Sequence, residues 1–146
     1  MLKVNTKAPQ FSAYDQNNYK HSLTDYTNKY VILYFYPKDD TPGCTTEACG
    51  IRDNYLKLQE KAVVIGVSKD SVLSHKEFAE KYHLPFTLLS DPEKEIIKAY
   101  DADGAFTQRI TYLIDPKGII VKTYPKVNPA MHAQEILNDL NSIIKQ

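Results

Sequence analysis

Two cysteines lie five positions apart in the stretch TPGCTTEAC, which runs from Thr41 to Cys49. Cys44 and Cys49 are the only cysteines of the chain. Two thiols this close can bind a metal, form a disulfide or pass electrons to a substrate, or they can be inert, small apolar side chains. The neighbouring residues, and the elements that must hold them, decide between these uses.

The residues before Cys44 predict that it lies in the first turn of a helix. Thr41 is a residue type favoured at the N-cap, and Pro42 suits the first helical position. Backbone N–H groups and the positive end of the helix dipole then point towards the sulfur of Cys44. Both favour the thiolate, which is the nucleophilic form of cysteine. The stretch therefore predicts a reactive Cys44.

Cys49 cannot reach Cys44 while such a helix is intact. Residues five apart in an α-helix are separated by a rise of about 7.5 Å, and their Cα atoms by roughly 8 to 9 Å, which exceeds the limit of about 7 Å for a disulfide. A bond between them would require the first turns to unwind. Because local opening near a helix end costs little compared with global unfolding, the spacing favours a two-state cycle.

Other uses of the two thiols have less support in the sequence. A structural metal site usually needs four ligands, and the four histidines of the chain do not cluster with the cysteines. We therefore expect no metal. The Cys-x-x-Cys motif of thiol–disulfide oxidoreductases is absent, because four residues separate Cys44 from Cys49. At this point a pair of buried, inert cysteines stays open.

The composition indicates one globular domain, residues 1–146. Of these residues 42% are hydrophobic and 25% charged, and 18 basic residues balance 18 acidic ones. Zero net charge predicts neither nucleic acid nor an anionic membrane as a partner. The first residues lack the apolar core of a signal peptide, and no run approaches the ~20 apolar residues of a membrane span. We expect a cytoplasmic protein, and in that reducing compartment close cysteines are more often catalytic or metal-binding than structural.

Short apolar runs alternate with amphipathic segments, which predicts an α/β fold with a central mixed sheet flanked by helices. Strands are predicted at 31–36, 63–68, 86–89, 109–114 and 119–124, with a hairpin turn at 115–118. Helices are predicted at 45–61, 71–83, 93–100 and 129–144, and an N-terminal β-hairpin extension at 10–24. Because the strand at 31–36 ends just before the cysteines, they are expected at the carboxyl end of a strand, where sites form in α/β sheets.

The run from Phe35 to Glu47, FYPKDDTPGCTTE, resembles the active-site motif of the peroxiredoxins. More narrowly, it is similar to the bacterioferritin-comigratory-protein or peroxiredoxin Q subfamily, whose second cysteine follows the first by five residues. Matching stretches continue with LPF at 84–86, LSDP at 89–92 and RITYLID at 109–115. The resemblance covers nearly the whole chain.

The resemblance implies a thioredoxin-like fold and the reduction of hydroperoxides without a cofactor. It implies that Cys44 is the peroxidatic cysteine and Cys49 the resolving one, which together form an intramolecular disulfide. Thioredoxin, or alternatively glutaredoxin, is then the expected reductant, and a monomer is the expected state.

The resemblance also implies supporting roles for four further residues. Thr41 hydrogen-bonds the peroxide and Pro37 shields the sulfur from water. Arg109 stabilises the thiolate, and Glu47 orients the arginine. Without the motif, Arg109 would have been interpreted as a surface charge.

Two other classes of function stay open. A peroxide-sensing redox switch or holdase would react with peroxide at Cys44 but turn over poorly with any reductant. A general thiol–disulfide oxidoreductase would reduce protein disulfides and ignore peroxide, and the missing Cys-x-x-Cys motif counts against it.

Overall fold

The computed structural model describes residues 1–145, which surround a seven-stranded mixed sheet of order β2-β1-β5-β4-β3-β6-β7. The strands are β1 (Ser12–Tyr14), β2 (Lys20–Ser22), β3 (Tyr30–Phe35), β4 (Ala62–Ser68), β5 (Thr87–Ser90), β6 (Ile110–Ile114) and β7 (Ile120–Tyr124). The helices are α1 (Pro42–Asp53), α2 (Tyr55–Leu58), α3 (Val72–Tyr82), α4 (Glu95–Ala99) and α5 (His132–Ile144). Across residues 1–145, no helix combines the length and apolar character needed to cross a membrane.

The central strand β3 is buried on both faces of the sheet. It pairs in parallel with β4 and antiparallel with β6. Val31, Leu33 and Phe35 face the core that includes α4. Ile32 and Tyr34 face the core that includes α1, α3 and α5. Burial on both sides explains why this strand is a continuous apolar run in the sequence.

The helix predicted at 45–61 is wrong in extent, because the structure divides it in two. α1 begins at Pro42 and ends at Asp53, and Asn54 separates it from the single turn α2. Asn54 has φ −107° and ψ 7°, and its side-chain amide donates to the carbonyl of Gly50 at 2.9 Å. Asparagine side chains compete for backbone hydrogen bonds in this way, which weakens a helix.

The two predicted hairpins are confirmed. β1 pairs antiparallel with β2, and the pairing of Tyr14 with Ser90 of β5 joins this hairpin to the edge of the sheet. β6 and β7 pair antiparallel, and Gly118 in their connection has a left-handed φ of 82°. The last helix, predicted from residue 129, begins at His132 instead.

Gly66 in β4 provides a test of the packing under the site. A Cβ atom at Gly66 would lie 2.7 Å from Cζ of Tyr34, whereas one at Gly50 would lie 3.8 Å from the carbonyl of Pro129. We expect Gly66→Ala to lower the free energy of unfolding by about 1–3 kcal/mol through overpacking. The matched control Gly50→Ala should leave it unchanged or raise it by up to about 1 kcal/mol, because alanine favours a helix. Urea unfolding measures both, and equal values would contradict this packing.

Candidate active site

The N-terminus of α1 lies at the carboxyl end of β3, as the sequence predicts. Thr41 is the N-cap residue and Pro42 the first helical residue. The N–H of Thr45 donates to the carbonyl of Thr41 at 2.8 Å, which places Cys44 in the first turn. The Thr41 hydroxyl, however, does not cap the helix but donates to the carbonyl of Lys38 at 2.8 Å. Only its oxygen lone pairs are therefore available to the site.

The sulfur of Cys44 is buried beside a guanidinium group. Cys44 is 2% exposed, and Nη2 of Arg109 lies 3.4 Å from its Sγ. A positive N–H donor at this distance can hydrogen-bond the sulfur directly. It also lies where it can compensate negative charge that develops during attack by the sulfur.

Glu47 binds the other side of the same guanidinium. Nη1 of Arg109 donates to Oε1 of Glu47 at 2.8 Å, and Glu47 is fully buried. Burial raises the pKa of Glu47 to about 7, although the ion pair with Arg109 acts in the opposite direction. Arg109 thus lies between two acidic groups, Cys44 and Glu47.

Gly43 allows the guanidinium to approach the helix. A Cβ atom at Gly43 would lie 2.9 Å from Nη2 of Arg109. It would also lie 3.9 Å from Cγ of Pro129, which precedes α5. A larger residue at this position would push Arg109 away from the sulfur of Cys44.

Tyr34 packs close to these charges. Its ring stacks on Tyr36 at 5.5 Å between centroids and meets the edge of Phe86 at 6.1 Å. Burial raises the pKa of Tyr34 well above its usual value, and the charges of Glu47 and Cys44 add to this. Among residues 1–145, neither the Tyr34 hydroxyl nor Oε2 of Glu47 has a hydrogen-bond partner. Tyr34 is therefore a neutral phenol next to the site.

The remaining two predicted residues are Cys49, within α1, and Pro37, in the loop that precedes α1. Cys49 is partly exposed on α1, and both cysteines are free thiols. The intact helix keeps Cys49 and Cys44 apart, as the spacing predicts. Pro37 follows β3 and is half-buried. Its shielding of the sulfur stays a prediction.

Two aspartates of the loop between β3 and α1 were missed by sequence reasoning. Asp39 accepts hydrogen bonds from Tyr36 at 2.6 Å and contacts His75 at 2.7 Å. Asp40 accepts one from Tyr82 at 2.6 Å. A signal was present, since two consecutive acidic residues directly precede the N-cap. Their partners lie in distant segments, and spacing alone does not identify them.

A family model, a related sequence and solved structures all match this chain over most of its length. The model of the AhpC/TSA family matches residues 4–123. Peroxiredoxin Bcp of Bacillus subtilis is 40% identical over 152 residues, which cover 97% of this chain and 97% of that protein. A cysteine-to-serine mutant of PrxQ from Xylella fastidiosa has a TM-score of 0.93 at 32% identity, covering 99% of this chain and 98% of that chain.

A second solved structure is the bacterioferritin comigratory protein of Xanthomonas campestris, studied for its alkyl peroxide reduction activity. Its TM-score is 0.87 at 30% identity, and the match covers 91% of each chain. These similarities confirm the predicted thioredoxin-like fold. From the matching family model, the relatives and the shared fold, we conclude that the chain belongs to the AhpC/TSA family, where it is similar to the peroxiredoxins named Bcp and Q.

Proposed function

We propose that this thiol peroxidase reduces hydroperoxides at Cys44 and resolves the product through a disulfide with Cys49. The observation that carries the proposal is the buried sulfur of Cys44, 3.4 Å from the guanidinium of Arg109 at the start of α1. A nucleophile, a fixed positive charge and a helix N-terminus together suit attack on a peroxide bond.

The first step is attack of the Cys44 thiolate on one peroxide oxygen. The S–O bond forms and the O–O bond breaks, and the second oxygen leaves with the electron pair and takes up a proton, as water or an alcohol. Arg109 compensates the negative charge on the oxygens. Because the Thr41 hydroxyl gives its hydrogen to Lys38, its oxygen can accept a hydrogen bond from the peroxide. Pro37 limits the access of water.

The second step joins the two cysteines. The Cys49 thiol gives up its proton and attacks the sulfenic sulfur of Cys44. The S–S bond forms, the S–O bond breaks, and the oxygen leaves as hydroxide, which takes up the proton and becomes water. Since α1 holds the two residues apart, its first turns must open before this step. A dithiol protein then reduces the disulfide by thiol exchange, with thioredoxin as the expected reductant and glutaredoxin as the alternative.

Sulfur alone carries the electrons in this scheme, and no cofactor enters it. Hydrogen peroxide and small organic hydroperoxides are the proposed substrates, in line with the alkyl peroxide reduction studied for the Xanthomonas relative. We still expect the protein to be a monomer and to lie in the cytoplasm.

The roles of the two cysteines predict a specific pattern of loss. In a coupled assay with thioredoxin, thioredoxin reductase and hydrogen peroxide, Cys44→Ser should abolish NADPH oxidation, because the attacking sulfur is gone. Cys49→Ser should lose most of the turnover but still react once with peroxide. Loss of free thiols in the wild type without turnover, with either thioredoxin or glutaredoxin, would favour the redox switch instead.

The contact between Arg109 and Cys44 predicts that Gly43 matters for the chemistry. Gly43→Ala should displace the guanidinium and lower the second-order rate constant for hydrogen peroxide by up to about 100-fold, the lower end of the range for complete removal of one charge-stabilising donor. Gly50→Ala adds the same methyl group to α1 away from Arg109 and is the matched control. Stopped-flow measurement of both variants tests this. Equal rate constants would exclude the assigned role of Arg109.

The raised pKa of Glu47 predicts that stability depends on pH. Glutamate titrates near 4.5 in the unfolded chain and Glu47 at about 7 in the folded protein. The folded state thus binds the proton of Glu47 more tightly than the unfolded chain does. The protonated carboxyl therefore stabilises the fold fully below pH 4.5, and this stabilisation is lost as the pH rises through about 7. The free energy of unfolding should fall by at most about 3 kcal/mol over this pH range.

Glu47→Gln removes this titration and should therefore gain stability relative to the wild type between about pH 5 and about pH 8. Urea unfolding at several pH values measures the gap between the two proteins. Exposed Glu93 provides the control, because Glu93→Gln should give a gap that is constant with pH. A constant gap for Glu47→Gln as well would contradict the assignment.

A further inference from the structure

A buried group of polar side chains lies behind the loop that connects β3 to α1. Asp39, which is 8% exposed, accepts hydrogen bonds from the hydroxyls of Tyr36 at 2.6 Å and Ser74 at 2.8 Å. Its Oδ2 also lies 2.7 Å from Nδ1 of His75, which is fully buried on α3. We call these four residues the Asp39 cluster. The peroxidase steps described above do not use it.

Both ring nitrogens of His75 face acceptors. Nδ1 faces the Asp39 carboxylate, and Nε2 lies 2.9 Å from the carbonyl oxygen of Leu89 in β5. A carbonyl oxygen can only accept, and an ionised carboxylate can only accept. A neutral imidazole has one N–H and satisfies one of these contacts, whereas an imidazolium satisfies both. The geometry therefore fits a buried carboxylate–imidazolium pair.

The surroundings meet the conditions under which a buried ion pair is retained. Such a pair is stable only when its remaining lone pairs and protons are also hydrogen-bonded. Tyr36 and Ser74 donate to the carboxylate of Asp39, and Leu89 accepts from the imidazolium of His75. Removing the side chain of Asp39 would leave the charge of His75 buried and unpaired. This costs much more stability than replacing Asp39 with a residue that keeps the hydrogen bonds.

Further contacts bind the same loop to the segment that follows β4 and to the end of α3. The backbone N–H of Asp39 donates to Oδ2 of Asp70 at 2.9 Å, and the hydroxyl of Ser68 donates to the same oxygen at 2.6 Å. The next residue, Asp40, binds the hydroxyl of Tyr82 at 2.6 Å. The loop is thus held by α3 and by the segment that follows β4, both outside α1.

We propose that Asp39 and His75 are positioning residues for the peroxidase reaction. The hydrogen bonds of this pair fix the loop, and through it Thr41 and the first turn of α1, where Cys44 meets the peroxide. Thr41 follows Asp39 by two residues and accepts the first hydrogen bond of the helix. The residues that bind the pair are Tyr36, Ser74 of α3 and Leu89 of β5, and none of them belongs to α1. The contact between Asp39 and His75 therefore persists while α1 opens for disulfide formation. The inference rests on the proposed function.

The proposal predicts that the pair affects attack but not resolution. Attack on peroxide is a phase whose rate rises with peroxide concentration, and disulfide formation is a later phase that does not depend on it. Both can be followed by tyrosine fluorescence, since the chain has 11 tyrosines and no tryptophan. Asp39→Ala should slow attack at least about tenfold through misplacement of the reacting groups. The resolution phase should stay within about threefold of the wild type.

Asp39→Asn is the conservative variant that separates positioning from loss of stability. Its amide can accept from Tyr36 and donate to Nδ1 of a neutral His75, whose Nε2–H still donates to Leu89. Attack by this variant should stay within about threefold of the wild type. Glu77→Ala, which removes an exposed carboxylate from the same helix α3, should change neither phase.

Several outcomes would overturn the proposal. An Asp39→Ala protein that attacks peroxide at the wild-type rate would do so, as would an Asp39→Asn protein as slow as Asp39→Ala. Equal slowing of both phases in Asp39→Ala would show a general loss of stability instead. If Asp39→Ala does not fold, Ser74→Ala removes a single donor from the cluster and should slow attack about two- to fivefold with resolution unchanged; an unchanged attack rate would refute the role.

The charge state of His75 is tested separately by NMR of the reduced protein. The wild type should show protons on both ring nitrogens of His75, and Asp39→Asn a proton on Nε2 alone. A single ring N–H in the wild type would overturn the ion pair. These results are independent of the proposed activity. If the wild type itself fails to react with peroxide, the proposed function fails, whereas wild-type attack matched by Asp39→Ala refutes the positioning role alone.

Discussion

One guanidinium group, that of Arg109, joins the thiol of Cys44 to the carboxyl of Glu47, and the site depends on it. Its nitrogens lie 3.4 Å from the sulfur and 2.8 Å from the carboxylate oxygen. One positive charge therefore serves two acidic groups in a buried place, where an unpaired charge is costly. In the proposed cycle Cys44 becomes a neutral sulfenic acid, which would leave only Glu47 to balance Arg109 and so favour the ionised carboxyl.

In the proposed cycle, α1 must be folded for the attack on peroxide and unwound for the formation of the disulfide. The first turn of α1 holds Cys44 near the positive end of the helix dipole, and Glu47 follows one turn later. Attack on peroxide therefore needs α1 folded. Disulfide formation with Cys49 needs the same turns unwound. Asp39 and Asp40 bind the preceding loop to α3, and under the proposal these contacts would hold that loop in place while the helix opens.

The sequence was sufficient for features that depend on local pattern. The apolar run of β3 and the Thr-Pro start of α1 predicted where Cys44 would lie. The contact between Cys44 and Arg109 spans 65 positions and depends on how β6 pairs with β3, so it came from the family resemblance rather than from spacing. The burial of Asp39 depends on partners in distant segments, which no periodicity in the sequence reveals. The break at Asn54 is local, because its side chain binds the carbonyl of Gly50, but the apolar periodicity continues across it and hides it.

The break at Asn54 also sets how far a local disturbance can travel. Helical hydrogen bonding is cooperative, so a continuous helix from Pro42 to Leu58 would transmit opening at its start towards the strand that follows. With Asn54 outside the helix, α2 forms a separate unit whose Leu58 stays buried in the core. If α1 opens in each turnover as proposed, the break at Asn54 would confine the change of shape to α1 and leave the rest of the chain as a fixed frame.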